Sequence, residues 1–202
     1  MTGAMAARHS PLEGFEAAFG QVAGSPDGAV SLAEVPFLAQ LDLRADSVDA
    51  SLRGRLGAVL GADLPLVPNR AVVANGGDRH VLWLGPDEWL VIDRPGTETT
   101  LEKQLRAAVQ DGRGSVVDVS ANRTTISLAG PGARDVLEGG CSIDLHPRAF
   151  GPGRCAQTLV GRTGVIVHQV SPEPGYRLLV RSSFAAYLAT WLLDAIEGDS
   201  TP

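Results

Sequence analysis

Asp118, Ser120, Asn122 and Arg123 are the densest group of chemistry-bearing side chains in this sequence. A carboxylate, a hydroxyl, an amide and a guanidinium within six residues can hold a polar ligand. The same side chains can close a corner by hydrogen-bonding nearby backbone, as Asp, Ser and Asn do outside regular elements. On the residues alone the corner is the stronger reading. His9, His80, His146 and His168 show no metal-ligand spacing with one another or with Cys141 and Cys155. His80 and His168 fall at strand positions, as packing or edge residues, and His146 falls in a loop before Pro147. Both cysteines read as small buried hydrophobes. The 17 basic residues include one lysine, Lys103. In LEKQL it points away from the face formed by Leu101, Leu105 and Ala108, so it lacks the desolvation a catalytic amine needs.

Two glycine motifs need a structural context to mean anything. Gly151-Pro152-Gly153-Arg154-Cys155-Ala156 fits GxGxxA by letter. An extended loop precedes it and a strand follows, so no helix N-terminus meets a pyrophosphate. Gly130-Pro131-Gly132 opens a helix whose N–H groups can bind an anion, but a tight strand-to-helix turn is the plainer reading.

The elements that position these residues follow from periodicity. A short helix is expected over 10–19, with Ser10 as cap, Pro11 in the first turn and Leu12, Phe15 and Phe19 on one face. That face either folds back on its own domain or docks on a partner. Residues 20–31 read as a flexible connection. PFLAQLDLR alternates as a half-buried strand. Asp46 or Ser47 caps a helix with an apolar face of Val48, Leu52, Leu56, Val59 and Leu60, stopped by Gly61. ADLPLVPNR is an extended connection. RHVLWLG and EWLVID are strands apolar on both faces, as in a covered sheet, and a helix over 98–110 is stopped by Gly112.

The second half repeats this order. The strand SVVD leads to the polar corner. The strand RTTISLAG and a short helix from Pro131 to Gly139 are followed by an extended connection. RCAQTLV, GVIVHQV and YRLLVRS are strands, and Ser182 or Ser183 caps a last helix with a stripe of Phe184, Leu188, Trp191, Leu192 and Ala195. Strands beginning at Phe37 and Arg123 lie about 86 residues apart, as do helices beginning near 98 and 184. The expectation is an α+β chain: an arm with a short helix over 1–33, and two related two-layer α/β subdomains with mainly antiparallel sheets over 34–113 and 114–202.

Bulk properties narrow the function. A chain of 202 residues, 44% hydrophobic and 20% charged, can bury one large core or two smaller ones. A net charge of −6 argues against a general grip on nucleic acid. No run of about 18 apolar residues reads as a membrane span, and the first residues lack the layout of a secretory signal. Two cysteines form no disulfide framework, so a reducing cytoplasm is the expected compartment.

VVDVSANRTTISLAGPGARDVLEGGCSIDLHPRAF, with LGPDEWLVI before it and LLVRSSFAAYLATWLLDAI after it, resembles the gamma subunit of heterotetrameric sarcosine oxidase. Ser10-Pro11-Leu12, Trp83, Trp89 and the Ser-Phe ahead of the last helix fit the same family. The family is similar in turn to the folate-binding aminomethyltransferases of glycine cleavage, whose fold the resemblance implies. Asp118-Val119-Ser120, Gly130-Pro131 and Ala133 match that wider pattern. The stretch Gly161–His168 has no acid where the transferases carry a carboxylate pair. No catalytic, cofactor-binding or metal-binding residue is therefore assigned.

The resemblance implies an accessory subunit, inactive alone, of an enzyme that oxidatively demethylates sarcosine to glycine. That enzyme produces hydrogen peroxide and passes the one-carbon unit to tetrahydrofolate. FAD, FMN and NAD are implied for the assembled enzyme and its large alpha and beta subunits, with a small delta subunit alongside. No membrane or nucleic-acid partner is implied. Leu12, Phe15 and Phe19 are the interface candidates, while Asp118, Ser120, Asn122 and Arg123 form a structural corner or weak ligand site. The alternatives are a stand-alone folate-binding one-carbon transferase and a general protein-binding adaptor.

Overall fold

The structure is a computed structural model that describes residues 8–23, 29–110 and 114–199. The elements, in chain order, are α1 (Glu16–Ala23), β1 (Ser31–Glu34), β2 (Ala39–Ala45), α2 (Ala50–Leu60), β3 (Ala71–Ala74), β4 (Arg79–Gly85), β5 (Glu88–Asp93), α3 (Glu98–Val109), β6 (Gly114–Asp118), β7 (Arg123–Ala129), α4 (Ala133–Glu138), β8 (Arg154–Val160), β9 (Thr163–Ser171), β10 (Gly175–Arg181) and α5 (Ala185–Asp199). They form two five-stranded sheets. Sheet I runs β3-β4-β5-β2-β6 and sheet II runs β1-β7-β10-β9-β8. Every strand pair is antiparallel.

Side-chain alternation divides each sheet into two buried faces. One face of sheet I packs Leu41, Leu43, Val81, Trp89 and Val91 against Leu52, Leu56 and Leu60 of α2 and Leu101 and Leu105 of α3. One face of sheet II packs Ile126, Leu128, Val165, Val167, Tyr176 and Leu178 against Phe19, Val136, Leu137, Leu188 and Leu192. The remaining faces meet each other. Leu38, Ala71, Leu82, Leu90 and Ile92 of the first half pack on Cys155, Ile166 and Leu179 of sheet II. The result is four layers, helix–sheet–sheet–helix, two α/β units set back to back. This is the α+β architecture with mainly antiparallel sheets expected from the sequence.

Sheet membership crosses the expected boundaries. Residues 115–118 were expected with the second half, yet β6 pairs with β2 of sheet I, Leu43 opposite Val116 and Leu41 opposite Asp118. Residues 31–33 were expected in the arm, yet β1 pairs with β7 of sheet II, Ser31 opposite Ala129. Val116, 1% exposed, joins the core of the first half, and Leu32, 3% exposed, joins that of the second. Each strand goes where its one buried apolar side chain packs.

Local chemistry also adjusts the helix starts. Asp49 caps α2, its Oδ1 accepting from Leu52 N–H at 3.0 Å. Asp46 instead accepts from Val48 N–H at 2.9 Å, which holds Val48 outside the helix and 84% exposed. Gly61 ends α2 at φ 78°, in the left-handed region that suits glycine. Ser182–Phe184 form a single 3₁₀ turn ahead of α5, with neither serine capping by side chain and Phe184 exposed. β3 lies just beyond the Pro-rich stretch read as a connection. Gly112, the expected stop of α3, lies outside the described residues, as do 24–28 of the expected linker.

Candidate functional site

The corner joins β6 to β7 and is closed from within. Asp118 Oδ1 accepts from Ser120 N–H at 2.9 Å and from Ser120 Oγ–H at 2.5 Å. Ser120 Oγ accepts from Gln40 N–H at 2.9 Å, and Val119 N–H donates to Gln40 O at 2.9 Å, which ties the corner to β2. Asn122 N–H donates to Val119 O, Ser182 N–H donates to Asn122 O, and Ser182 Oγ–H donates to Ala121 O. The Asn122 residue itself is exposed. Arg123 leaves the cluster. It lies opposite Arg181 across β7 and β10, on the face of sheet II that meets sheet I. Burial, and then Arg181, lower the pKa of its guanidinium. The structure therefore joins Asp118 to Ser120 by hydrogen bonds, while Arg123 lines a pocket with them without bonding to either.

Beside the corner is a pocket of about 280 Å³ lined by Ser10, Glu34, Phe37, Asp118, Ser120 and Thr124 among others. Glu34 organises it. Its carboxylate accepts from Ser10 Oγ–H at 2.5 Å and from Thr124 Oγ1–H. Arg8 crosses the pocket to Glu98, at the start of α3, at 2.6 Å. That hydrogen bond holds the Glu98 carboxyl below its ordinary range. Phe37 sits in the turn between β1 and β2 at φ 60°, unusual for a bulky side chain, and is 37% exposed. Glu34, Thr124 and Glu98 were not legible as a site. They stand at positions 34, 98 and 124, and only the pairing of β1 with β7 brings Glu34 beside Thr124.

The interface candidates face inward. Leu12 is 1% and Phe19 4% exposed within the core of the second half, and Phe15 packs on the same core with its ring 5.9 Å from that of Phe19. Their expected role as a docking face gives way to a role as core. The reading in which this segment folds back on its own chain describes them.

The remaining candidates have structural surroundings. His80 and His168 meet between the sheets, ring centroids 5.1 Å apart at 74°. Burial pushes His80 down to about 4, with Arg177 adding to the effect, and burial pushes His168 down to about 3, with His80 adding to it. Both are neutral at pH 7. Cys155 is fully buried and its thiol is pushed up to about 12 by burial, with Sγ–H donating to Arg70 O at 3.3 Å. His146 Nδ1 accepts from Arg148 N–H at 3.2 Å in the connection after α4. Lys103 is exposed on α3.

At Gly130, φ 112°, an added Cβ would sit 2.5 Å from Ala29 O, and Gly132 N–H already donates to Ala29 O. That turn is filled by the chain itself. β8 begins at Arg154, inside the GxGxxA match, so a strand stands where the nucleotide motif needs a helix. Among the described residues no group of three or more His, Cys, Asp or Glu is placed to hold a metal ion, and no helix is long and apolar enough to cross a membrane.

Residues 44–198 match the sequence profile of the sarcosine oxidase, gamma subunit family. The chain is 38% identical over 195 residues to a sarcosine oxidase subunit gamma from Arthrobacter sp, covering 96% of this chain and 93% of the relative. It is 38% identical over 190 residues to a sarcosine oxidase subunit gamma from Corynebacterium sp. (strain P-1), covering 94% and 90%. Among solved structures it is similar to a chain of heterotetrameric sarcosine oxidase from Corynebacterium sp. U-96 in complex with pyrrole 2-carboxylate. The TM-score is 0.87 at 35% identity, covering 96% of this chain and 97% of that one. It shares its fold with the glycine cleavage system aminomethyltransferase T from Bartonella henselae, at TM-score 0.59 and 14% identity, covering 82% of this chain and 45% of that one.

Proposed function

The chain belongs to the sarcosine oxidase gamma subunit family, and on that premise we propose that it is the gamma subunit of a heterotetrameric sarcosine oxidase. The observation that carries this is the end-to-end likeness to a chain of a heterotetrameric sarcosine oxidase, 96% of one chain against 97% of the other. The role within the enzyme is structural. The polar cluster that marks the family is bonded to itself and to the backbone of β2, the histidines between the sheets are buried, and the one buried thiol is protonated.

The assembled enzyme oxidatively demethylates sarcosine to glycine, forms hydrogen peroxide and transfers the one-carbon unit to tetrahydrofolate. FAD, FMN and NAD reside with the large alpha and beta subunits, a small delta subunit completes the assembly, and the compartment is the cytoplasm. The corner at Asp118, Ser120 and Asn122 is a remnant of a folate-binding fold kept for its hydrogen bonds. Co-expression of the tagged chain with candidate large subunits tests this reading. A yellow complex with sarcosine-dependent peroxide formation should co-purify with the tag, and the isolated chain should be colourless and inactive. Recovery of the tagged chain without flavoprotein would overturn it.

A further inference from the structure

The seam between the sheets ends in a group of charges that borders the pocket beside the corner, which Arg123 also lines. Arg123 and Arg181 stand directly opposite each other on β7 and β10, two residues beyond the Thr125–Leu179 pair, and Leu179 is buried in the seam. Across from them β2 and β5 present Asp42, Arg44 and Glu88. Arg44 takes the nearer acid, 2.8 Å from Glu88, and lies 4.0 Å from Asp42. Asp42 and Glu88 act on Arg123 only through space. Among the described residues, neither the Arg123 nor the Arg181 guanidinium has a hydrogen bond or ion pair. Three guanidinium groups therefore face two carboxylates, and two of the three stand side by side.

Like charges directly opposite on neighbouring strands repel, and partial burial of Arg123 weakens the solvent screening that would soften this. A guanidinium does not lose its proton to escape, so the charge stays. Asp42 and Glu88 offset it only through space, without a hydrogen bond or ion pair to either guanidinium. Two adjacent planar forks are complementary to the two oxygens of a carboxylate, and the net excess of one positive charge among these five groups matches a singly charged anion rather than a phosphate dianion. We propose that this end of the seam is a carboxylate-binding site, with Arg123 and Arg181 donating to one carboxylate between them. The carboxylate comes either from a small free acid or from an acidic side chain of a neighbouring subunit.

Phenylglyoxal modification of the full chain, read residue by residue by mass spectrometry, tests this. Sodium acetate replaces sodium chloride at constant ionic strength. Acetate should slow modification of Arg123 and Arg181 several-fold and saturably, while exposed Arg148 reacts at an unchanged rate. Arg123→Gln should remove the protection of Arg181, and Arg181→Gln that of Arg123, so one variant that folds suffices. Equal protection at Arg148, or none at the pair, overturns the site. Phosphate protecting as well as acetate overturns the choice of a carboxylate.

The assembled enzyme separates the two sources, and only this arm rests on the assembly reading. Protection there without acetate assigns the carboxylate to a neighbouring subunit, and protection that still requires acetate assigns it to a free acid. Either result presupposes the protection seen in the isolated chain, so failure of assembly does not touch the site.

Discussion

On β9, Val165 and Val167 face helices, while Ile166 and His168 face the opposite sheet. The same division runs through both halves. The helix-facing sides are filled almost wholly by Leu, Val, Ile and aromatic side chains. The seam mixes Leu82, Leu90 and Ile92 with His80, His168, Gln40 and Thr125, all buried. The helix-facing cores are places where apolar transfer alone sets stability. The seam is a place where buried polar groups make stability depend on pH and on partners.

The largest test of this contrast is in the helix-facing core. Trp89 is fully buried and its Nε1–H donates to Pro65 O at 2.8 Å. Trp89→Ala should cost about 3–5 kcal/mol in urea unfolding, with no change in the shape of the pH–stability curve. A loss below ~1 kcal/mol would mean that the apolar layers are not the main source of stability.

In the seam the expected signature is acid sensitivity. His80 and His168 have folded pKa values of about 4 and about 3, below the ordinary 6.5. The folded state then binds fewer protons than the unfolded state between those values. Stability is fully present above about pH 6.5 and is lost as pH falls through 4 toward 3. The loss should reach on the order of a few kcal/mol. His168→Phe should flatten that limb, as read by urea midpoints from pH 7.5 to 4.5, and an unchanged limb would place the acid sensitivity elsewhere.

Smaller effects belong to the polar joints around the pocket. Thr124→Val removes a donor to Glu34 in a half-buried site and should cost about 1–2 kcal/mol. It should also speed amide hydrogen exchange at residues 8–12 more than in α3. Asp49→Ala removes the cap of α2 and should cost about 1 kcal/mol by thermal melting, with exchange at the pocket unchanged. Equal exchange effects from both variants would show that the pocket is not a separate unit.

How much of this was legible in the sequence follows from the same division. RHVLWLG, EWLVID and RCAQTLV stand as β4, β5 and β8 because each carries two buried faces or a clear alternation over seven or six residues. The four-residue strands β1 and β3 were missed, since four residues hold too few alternations to register. The bond between Asp118 and Ser120 is readable from the sequence because its partners are two residues apart, whereas the tie to Gln40, 80 residues away, is not. The placement of Arg123 is not readable either, because its environment is set by Arg181, Asp42 and Glu88, all distant in sequence. Leu12 and Phe19 form an apolar face whether they dock or fold back. Only the position of α1 over sheet II decides between the two.

The crossing of β1 into sheet II has a consequence for the order in which the chain can fold during synthesis. Sheet I is built from residues 39–118, an uninterrupted stretch, and can close once β6 has emerged. β1 has left the ribosome by then, but its partner β7 has not. Ser31 and Ala129, which meet in the finished ladder, are 98 residues apart. At translation rates of about 5–20 residues per second that is a wait of roughly 5–20 s. Throughout it, the Ser31–Glu34 edge and the apolar face of α1 have nothing of their own chain to pair with. The amino-terminal segment is thus among the first parts of the molecule to emerge, yet it finds its place only after sheet I has closed.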